Sequence, residues 1–237
     1  MTIRTAPIRI LATLTLGALA VPPLASASGS GGSSMSPPAT NASQPFAQAA
    51  PTATVSGDGI TVSARVLAIR GRPVWFTGMV SGARANRSVT IERANGSSWT
   101  PVANATTASD GSFTATWYPA NAGQQVVRAI IASGSTATPT LTITVYRASV
   151  ATWYGPGLFG NRTACGATLH RPTLGVANRT LPCGTHVSIY YRGRTIVVPV
   201  IDRGPYANGA NWDLTEATAQ ALGMTQTSTI GAAAVSG

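Results

Sequence analysis

The sequence predicts a mainly β protein of two consecutive modules behind an export leader, and three observations carry the prediction. Short alternating runs separated by turn residues fill positions 55–147, a Gly-rich β texture with one helical stretch fills 148–237, and an apolar run near the start precedes a small-residue cleavage site. With 237 residues the chain has room for two domains once the leader is removed, on a prior of roughly 100–200 residues per domain.

The leader comes first. Arg4 and Arg9 give a charged start, Ile10 to Val21 an apolar run, and Ala25-Ser26-Ala27 a cleavage site, so residues 1–27 are expected to be a signal peptide. The alternative, an uncleaved anchor, is disfavoured because the run falls short of the roughly 20 residues a spanning helix needs and Pro22-Pro23 ends it. No cysteine lies near the cleavage site to accept a lipid. The expectation is a secreted or wall-associated protein with no stable membrane span after cleavage. Residues 28–54, made of Ser, Gly, Ala, Pro, Thr and Gln with almost no large apolar side chain, cannot offset their ordering entropy and read as a tether.

All sixteen basic residues are Arg, against six acids, for a formal net charge of +10; loss of Arg4 and Arg9 leaves 10 − 2 = +8. That balance favours anionic polymers at low salt. The arginines are scattered rather than clustered on a helix, and the chain is expected to leave the compartment that holds nucleic acid, so nucleic acid is a poor candidate and anionic wall polymers fit better.

In residues 55–147 the runs Ile60-Thr61-Val62, Val74-Trp75-Phe76, Ser88 to Ile91, Phe113 to Trp117, Gln125 to Ile131 and Leu141 to Val145 alternate with period two. Gly57-Asp58-Gly59, Gly71-Arg72-Pro73, Asn95-Gly96, Asp110-Gly111 and Gly134-Ser135 supply the breaks, at spacings suited to a β-sandwich. Gly71-Arg72-Pro73-Val74, Trp99 and Asp110-Gly111-Ser112-Phe113 resemble the small immunoglobulin-like modules of bacterial secreted proteins. With no His, no Cys and only Asp58, Glu92 and Asp110 as acids, this module reads as a spacer or adhesion unit rather than a catalytic one.

From Ala148 onward the expected elements are a strand at Val187 to Tyr191, a turn at Arg192-Gly193 and a strand at Thr195 to Ile201. A helix follows, with Asp213 as N-cap, Glu216 as capping-box partner, Leu214, Ala217, Ala221 and Leu222 on one face, and Gly223 as stop.

In this module Ala151-Thr152-Trp153-Tyr154-Gly155, Thr163-Ala164-Cys165-Gly166, Thr180 to Thr185 (Thr-Leu-Pro-Cys-Gly-Thr), Asp202-Arg203-Gly204-Pro205-Tyr206 and Asp213-Leu214-Thr215 stand in order. Together they resemble the motifs of the rare lipoprotein A (RlpA) family, over roughly the last eighty-five residues. The resemblance implies a six-stranded double-psi β-barrel, so the fold class expected for the whole chain is an immunoglobulin-like β-sandwich followed by that barrel with one short helix. It also implies a sugar-chain groove and, in enzymatic members, nonhydrolytic cleavage of peptidoglycan between muramic acid and glucosamine. Two polar positions of enzymatic members, an acid and a His, are Ala167 and Asn178 here. Asp202 is kept and is the first catalytic candidate, and Asp213 is the second.

Each candidate carries a plainer alternative. Asp202 opens a turn and can serve the backbone alone, and Asp213 can be only a helix cap. Trp153, Tyr154, Asn178, Arg203, Tyr206 and Trp212 are the expected substrate-binding residues; the aromatic ones could instead close the barrel ends. His170 and His186 fit no metal spacing, so no metal and no cofactor are expected. Cys165 and Cys183, in an exported chain, are expected to form a disulfide; a nucleophilic Cys is the weaker alternative, since no His stands beside either. Three functions compete: a wall-remodelling lytic transglycosylase, a silent glycan-binding module, and a secreted inhibitor or effector whose barrel loops engage a protein partner. A monomer is expected in each case.

Overall fold

The structure, a computed structural model, describes residues 51–82, 85–131, 137–206 and 209–236. The expected leader, and all but the last residues of the expected tether, lie outside the described residues. In chain order the first strands are β1 (Thr52–Gly57), β2 (Ile60–Arg65), β3 (Leu67–Ile69), β4 (Val74–Val80), β5 (Ser88–Asn95), β6 (Ser98–Thr106), β7 (Ser112–Trp117), β8 (Gly123–Ile131) and β9 (Leu141–Tyr154). They are followed by β10 (Val176–Ala177), β11 (His186–Tyr191), β12 (Arg194–Asp202), β13 (Trp212–Thr215), helix α1 (Glu216–Leu222) and β14 (Ser228–Ala234).

Period-two burial builds the sandwich. One sheet runs β1-β2-β4-β7; the other joins β6, β5, β8 and the first half of β9, with β3 parallel to β9. Inward residues, among them Val62, Phe76, Val89, Ile91, Phe113, Val127 and Ile143, form one buried cluster. Burying each such large apolar side chain stabilises by about 1.5–3 kcal/mol. Strand β1 begins inside the stretch read as tether, because Thr52 to Thr54 pair with Arg65 to Ser63 of β2.

The second half of β9 enters a different closed structure. Its neighbours there are β14, antiparallel, and β13, parallel. From β13 the pairing continues through β10, β12 and β11 back to β14, so six strands of mixed direction close a barrel. Val176, Val187, Ile189, Val198, Val200, Leu214 and Ile230 fill it. The hairpin between β11 and β12 turns at Arg192 and Gly193, with φ of 46° and 84°, the left-handed pair that a two-residue hairpin demands. Because β9 runs unbroken through both structures, Tyr146 lies between them: its ring packs on Tyr190 at 5.7 Å and its Oη is 2.9 Å from Ser188 Oγ.

The helix start differs from the expectation. Thr215, not Asp213, is the N-cap, and its hydroxyl accepts from the Thr218 N–H. Asp213 belongs to β13, where the strand holds it in register, and Glu216 bonds Gln220 instead of closing a capping box. Gly223 ends the helix in the left-handed region at φ 71°, as expected of a glycine past a helix C-terminus.

Candidate functional site

The site is built on the outer face of β12, β10, β13 and β9. Ala177 of β10 pairs on one side with Asp202 and on the other with Asp213, so the two carboxylates flank it across adjacent strands. At a strand spacing of about 4.8 Å their Cα atoms stand roughly 10 Å apart. A bulge in the β10–β12 pairing lies next to Asp202, a device that re-aims a side chain at a sheet rim. On β9, Thr152 is the register partner of Asp213 and Thr215 that of Tyr154. Alternation therefore puts Thr152 and Tyr154 on the Asp213 face, while Trp153 packs toward the barrel core.

Asp202 ends β12, and its Oδ1 accepts the backbone N–H groups of Ala164 and Arg203, both at 2.8 Å. Through Ala164 it pins the loop that carries Cys165, which is disulfide-bonded to Cys183 with a Cα–Cα separation of 5.7 Å. Asp213 accepts from Thr152 Oγ1 at 2.8 Å. Burial raises the Asp213 pKa above the ordinary carboxylate range, opposed by the Thr152 bond and reinforced by the Asp202 charge. Tyr154 Oη is buried, makes no hydrogen bond of good geometry, and has the Asp202 carboxylate as its nearest acceptor. Burial first, then the charges of Asp202 and Asp213, push its pKa up well beyond that of a free phenol, so it is a neutral O–H available as a donor.

The other expected residues separate into two groups. Asn178 Oδ1 accepts the Thr180 and Leu181 N–H groups at 3.1 and 2.9 Å, which folds the 178–181 turn onto itself. Arg203 sends its guanidinium to the carbonyls of Asn178 and Leu181 and to Cys183 Sγ, away from the Asp202 carboxylate. Both act as clasps of the loop beside the carboxylates. Trp212, at 8% exposure, is sunk in the barrel core, because the face that β13 turns inward carries it together with Leu214; its ring is not an open platform. Tyr206 is 78% exposed next to the Gly204 backbone. Gly155 follows Tyr154 because a Cβ there would meet the Glu216 Cβ at 2.9 Å, where β9 passes the start of α1.

Thr152 is the residue that sequence reasoning left inside a motif without a role. The signal was available: a Thr-x-Tyr alternation leading into a Gly places two hydroxyls on one face of a strand. Among the described residues no group of three or more His, Cys, Asp or Glu side chains is placed to hold a metal ion.

A closed six-stranded barrel with a carboxylate at the end of one strand and a second across the adjoining strand is a double-psi β-barrel site. Residues 146–236 match the double-psi β-barrel family model described as lytic transglycolase, and with the relatives below this supports an RlpA-like double-psi β-barrel for the module. Among the relatives is the probable endolytic peptidoglycan transglycosylase RlpA of Synechocystis, 41% identical over 85 residues, covering 35% of this chain and 26% of that protein. The endolytic peptidoglycan transglycosylase RlpA of Campylobacter jejuni is 36% identical over 77 residues, 32% of this chain and 28% of that one. The chain thus spans little more than a quarter of the length of these relatives. A solved structure, the Streptomyces papain inhibitor, aligns with 38% of this chain and 93% of its own at 27% identity, with a TM-score of 0.31, too low to establish a shared fold.

Proposed function

We propose that this is an exported protein of the bacterial wall that takes a peptidoglycan strand across the outer face of β12, β10, β13 and β9, with weak lytic transglycosylase activity. The observation that carries the reading is the pairing of Asp202 and Asp213 on either side of Ala177, with the Tyr154 hydroxyl buried near both. In this reaction the bond from muramic acid C1 to the glucosamine oxygen breaks. The muramic acid C6 hydroxyl closes onto C1 and loses its proton, and the leaving oxygen gains one. Asp213, whose pKa burial raises, suits the donor role; Asp202, whose Oδ1 is fixed by two N–H groups, suits the role of accepting the C6 proton or stabilising charge at C1. Tyr206 gives a ring for a sugar to lie against, and the sandwich, read as an immunoglobulin-like unit on residues 55–147, spaces the barrel from the tether.

The test is product analysis of digested purified peptidoglycan for anhydro-muramic ends. Wild type should release them slowly, Asp213→Asn should abolish release and Asp202→Asn should reduce it sharply. Undiminished release by both variants would move the chemistry elsewhere. The second reading, a silent glycan-binding module, is favoured by Asn178, whose carboxamide is engaged in folding its own turn where enzymatic members carry His. Absence of anhydro ends from wild type, with binding retained, would establish that reading.

A further inference from the structure

A second surface stands apart from the carboxylates, on the outer face of the β1-β2-β4-β7 sheet. The residues that β4 turns outward are Trp75, Thr77 and Met79. Trp75 is 53% exposed, and its cross-strand partner on β7 is Thr116. Thr77 lies between Ser63 and Thr114, and the next strand adds Thr54, bonded to Ser63 at 2.7 Å. Thr116, Thr77, Ser63 and Thr54 put short hydroxyl side chains on this face near the indole, with Arg65 next along β2 and Met79, 50% exposed, further along β4. A single exposed aromatic side chain would need no explanation, but this one borders a cleft of about 570 Å³.

That cleft runs from the sheet to the joint with the barrel. Its lining includes Arg65, Arg72, Leu67, Ile69, Trp75 and Tyr146. Arg65 and Arg72 are exposed. Arg72 is set by a turn in which its N–H bonds the Ile69 carbonyl and the preceding Gly71 N–H bonds that of Pro119. None of the six acids pairs with them: Asp58 lies in the β1–β2 turn, at the opposite end of β2 from Arg65, Glu92 is paired with Arg128, Asp110 bonds Ser112, and Asp202, Asp213 and Glu216 belong to the barrel. An aromatic platform, rows of hydroxyls and two unneutralised guanidinium groups make a site for sugar rings that carry carboxylates.

We infer that the sandwich holds a second glycan site, centred on Trp75 with Arg65 and Arg72, for a glycan strand whose substituents bear carboxylates. The inference rests on the glycan-binding reading of the barrel and gives the sandwich a grip on the same polymer, so that the chain meets its substrate at two places.

The experiment is calorimetric titration of the full mature chain with a soluble peptidoglycan fragment that keeps its stem-peptide carboxylates, with chito-oligosaccharide as neutral control and poly(glycerol phosphate) as phosphate control. Trp75→Ala should weaken fragment binding about tenfold, as loss of one stacked aromatic anchor does, and Trp75→Phe should restore most of it. The pair Arg65→Gln, Arg72→Gln should weaken it several-fold and flatten its salt dependence. Each variant should melt with wild type, since the replaced side chains are exposed. Unchanged affinity in Trp75→Ala, with loss only in the pair Asp202→Asn, Asp213→Asn, would overturn the second site and leave the barrel reading standing. No change in any variant would overturn both. Chito-oligosaccharide binding as tightly as the fragment, or poly(glycerol phosphate) binding more tightly, would overturn the carboxylate assignment and with it the inference.

Discussion

Thr152 Oγ1 donates a hydrogen bond of 2.8 Å to Asp213 Oδ1 from the position directly across the parallel β9–β13 pair. The bond is what keeps a half-buried carboxyl from being wholly stranded, and it opposes the burial that raises the Asp213 pKa. The sign of the resulting pH dependence follows. A carboxyl with a raised folded pKa binds its proton more tightly in the native state, so its contribution is best below the unfolded value. It is lost as pH rises through the folded pKa. Asp213→Asn keeps an acceptor for Thr152 but cannot ionise. Its melting temperature should therefore gain on wild type as pH rises from about 4, the unfolded carboxyl range, and level off once the folded Asp213 pKa is passed, as followed by circular dichroism; parallel curves would show that Asp213 is not destabilised by ionisation.

Thr152→Val should act on the same group in the opposite direction. Without the hydroxyl, the Asp213 pKa rises further, and because a proton donor is lost as pH rises through its pKa, the alkaline limb of any pH–rate profile moves to higher pH. Loss of a hydrogen bond to a partly buried charged group costs roughly 1–3 kcal/mol of stability. The check is the midpoint of that limb in the anhydro-product assay, or the Asp213 carboxyl titration by NMR; an unmoved midpoint would show that Thr152 is only structural.

Tyr154 separates fold from function more cleanly. Its buried hydroxyl makes no hydrogen bond of good geometry and only faces the Asp202 carboxylate, and a poorly satisfied buried polar group is a cost to the native state. Tyr154→Phe should therefore be neutral or mildly stabilising, by up to about 1–2 kcal/mol, while glycan binding or cleavage falls. A variant that melts lower would mean that the hydroxyl has a native partner after all.

How much of this was legible in the sequence depends on the range of the interaction. Period-two runs such as Phe113 to Trp117, and turn residues such as Arg192-Gly193, encode structure within a few positions, and both appear where expected. Strands β10 and β13 have two and four residues; they exist because barrel closure supplies partners on both sides, and no local pattern announces them. The same cause misled the assignment of Asp213. Asp-Leu-Thr-Glu is a sound capping box by itself, but pairing of Trp212–Thr215 with Ala151–Tyr154 extends the strand through Asp213 and moves the cap to Thr215. Asp202, at the end of a long apolar strand, was legible from the strand alone. The adjacency of Asp202 and Asp213 across Ala177 was not, since it depends on a crossover between segments far apart in the chain.

The continuity of β9 sets how the barrel can be isolated. A chain beginning at Ala148 would lose Tyr146, whose hydroxyl meets Ser188 Oγ and whose ring covers Tyr190, and would expose the apolar rim of Tyr190 and Ala233. Tyr146→Phe in the full chain should cost about 1 kcal/mol, one net buried hydrogen bond. Tyr146→Ala should cost about 3–5 kcal/mol through the cavity it leaves. Chemical denaturation should show the larger loss in a single transition if β9 couples the two halves; two separated transitions in wild type would show that they unfold independently.

The sharpest comparison restores the two family positions that differ. Ala167 is exposed in the loop that Asp202 pins through Ala164, and Thr163 N–H bonds its carbonyl. A longer side chain there enters open space and displaces no buried group. Ala167→Glu should therefore leave the melting temperature within about 2 °C, the ordinary range for an exposed change. It should also raise the rate of anhydro-product release by adding a carboxylate near Asp202. Asn178→His is different, because Asn178 Oδ1 holds two backbone N–H groups and its Nδ2 reaches the Asn211 carbonyl at 3.4 Å. An imidazole can accept only one such bond, so the variant should lose about 1–3 kcal/mol from the group left unpaired. The double variant should accordingly be less stable than wild type. If it cleaves faster than Ala167→Glu alone, the natural Asn trades activity for a firmly folded turn. A rate in the double variant no greater than wild type would mean that this barrel has lost more than these two groups and holds glycan without cutting it.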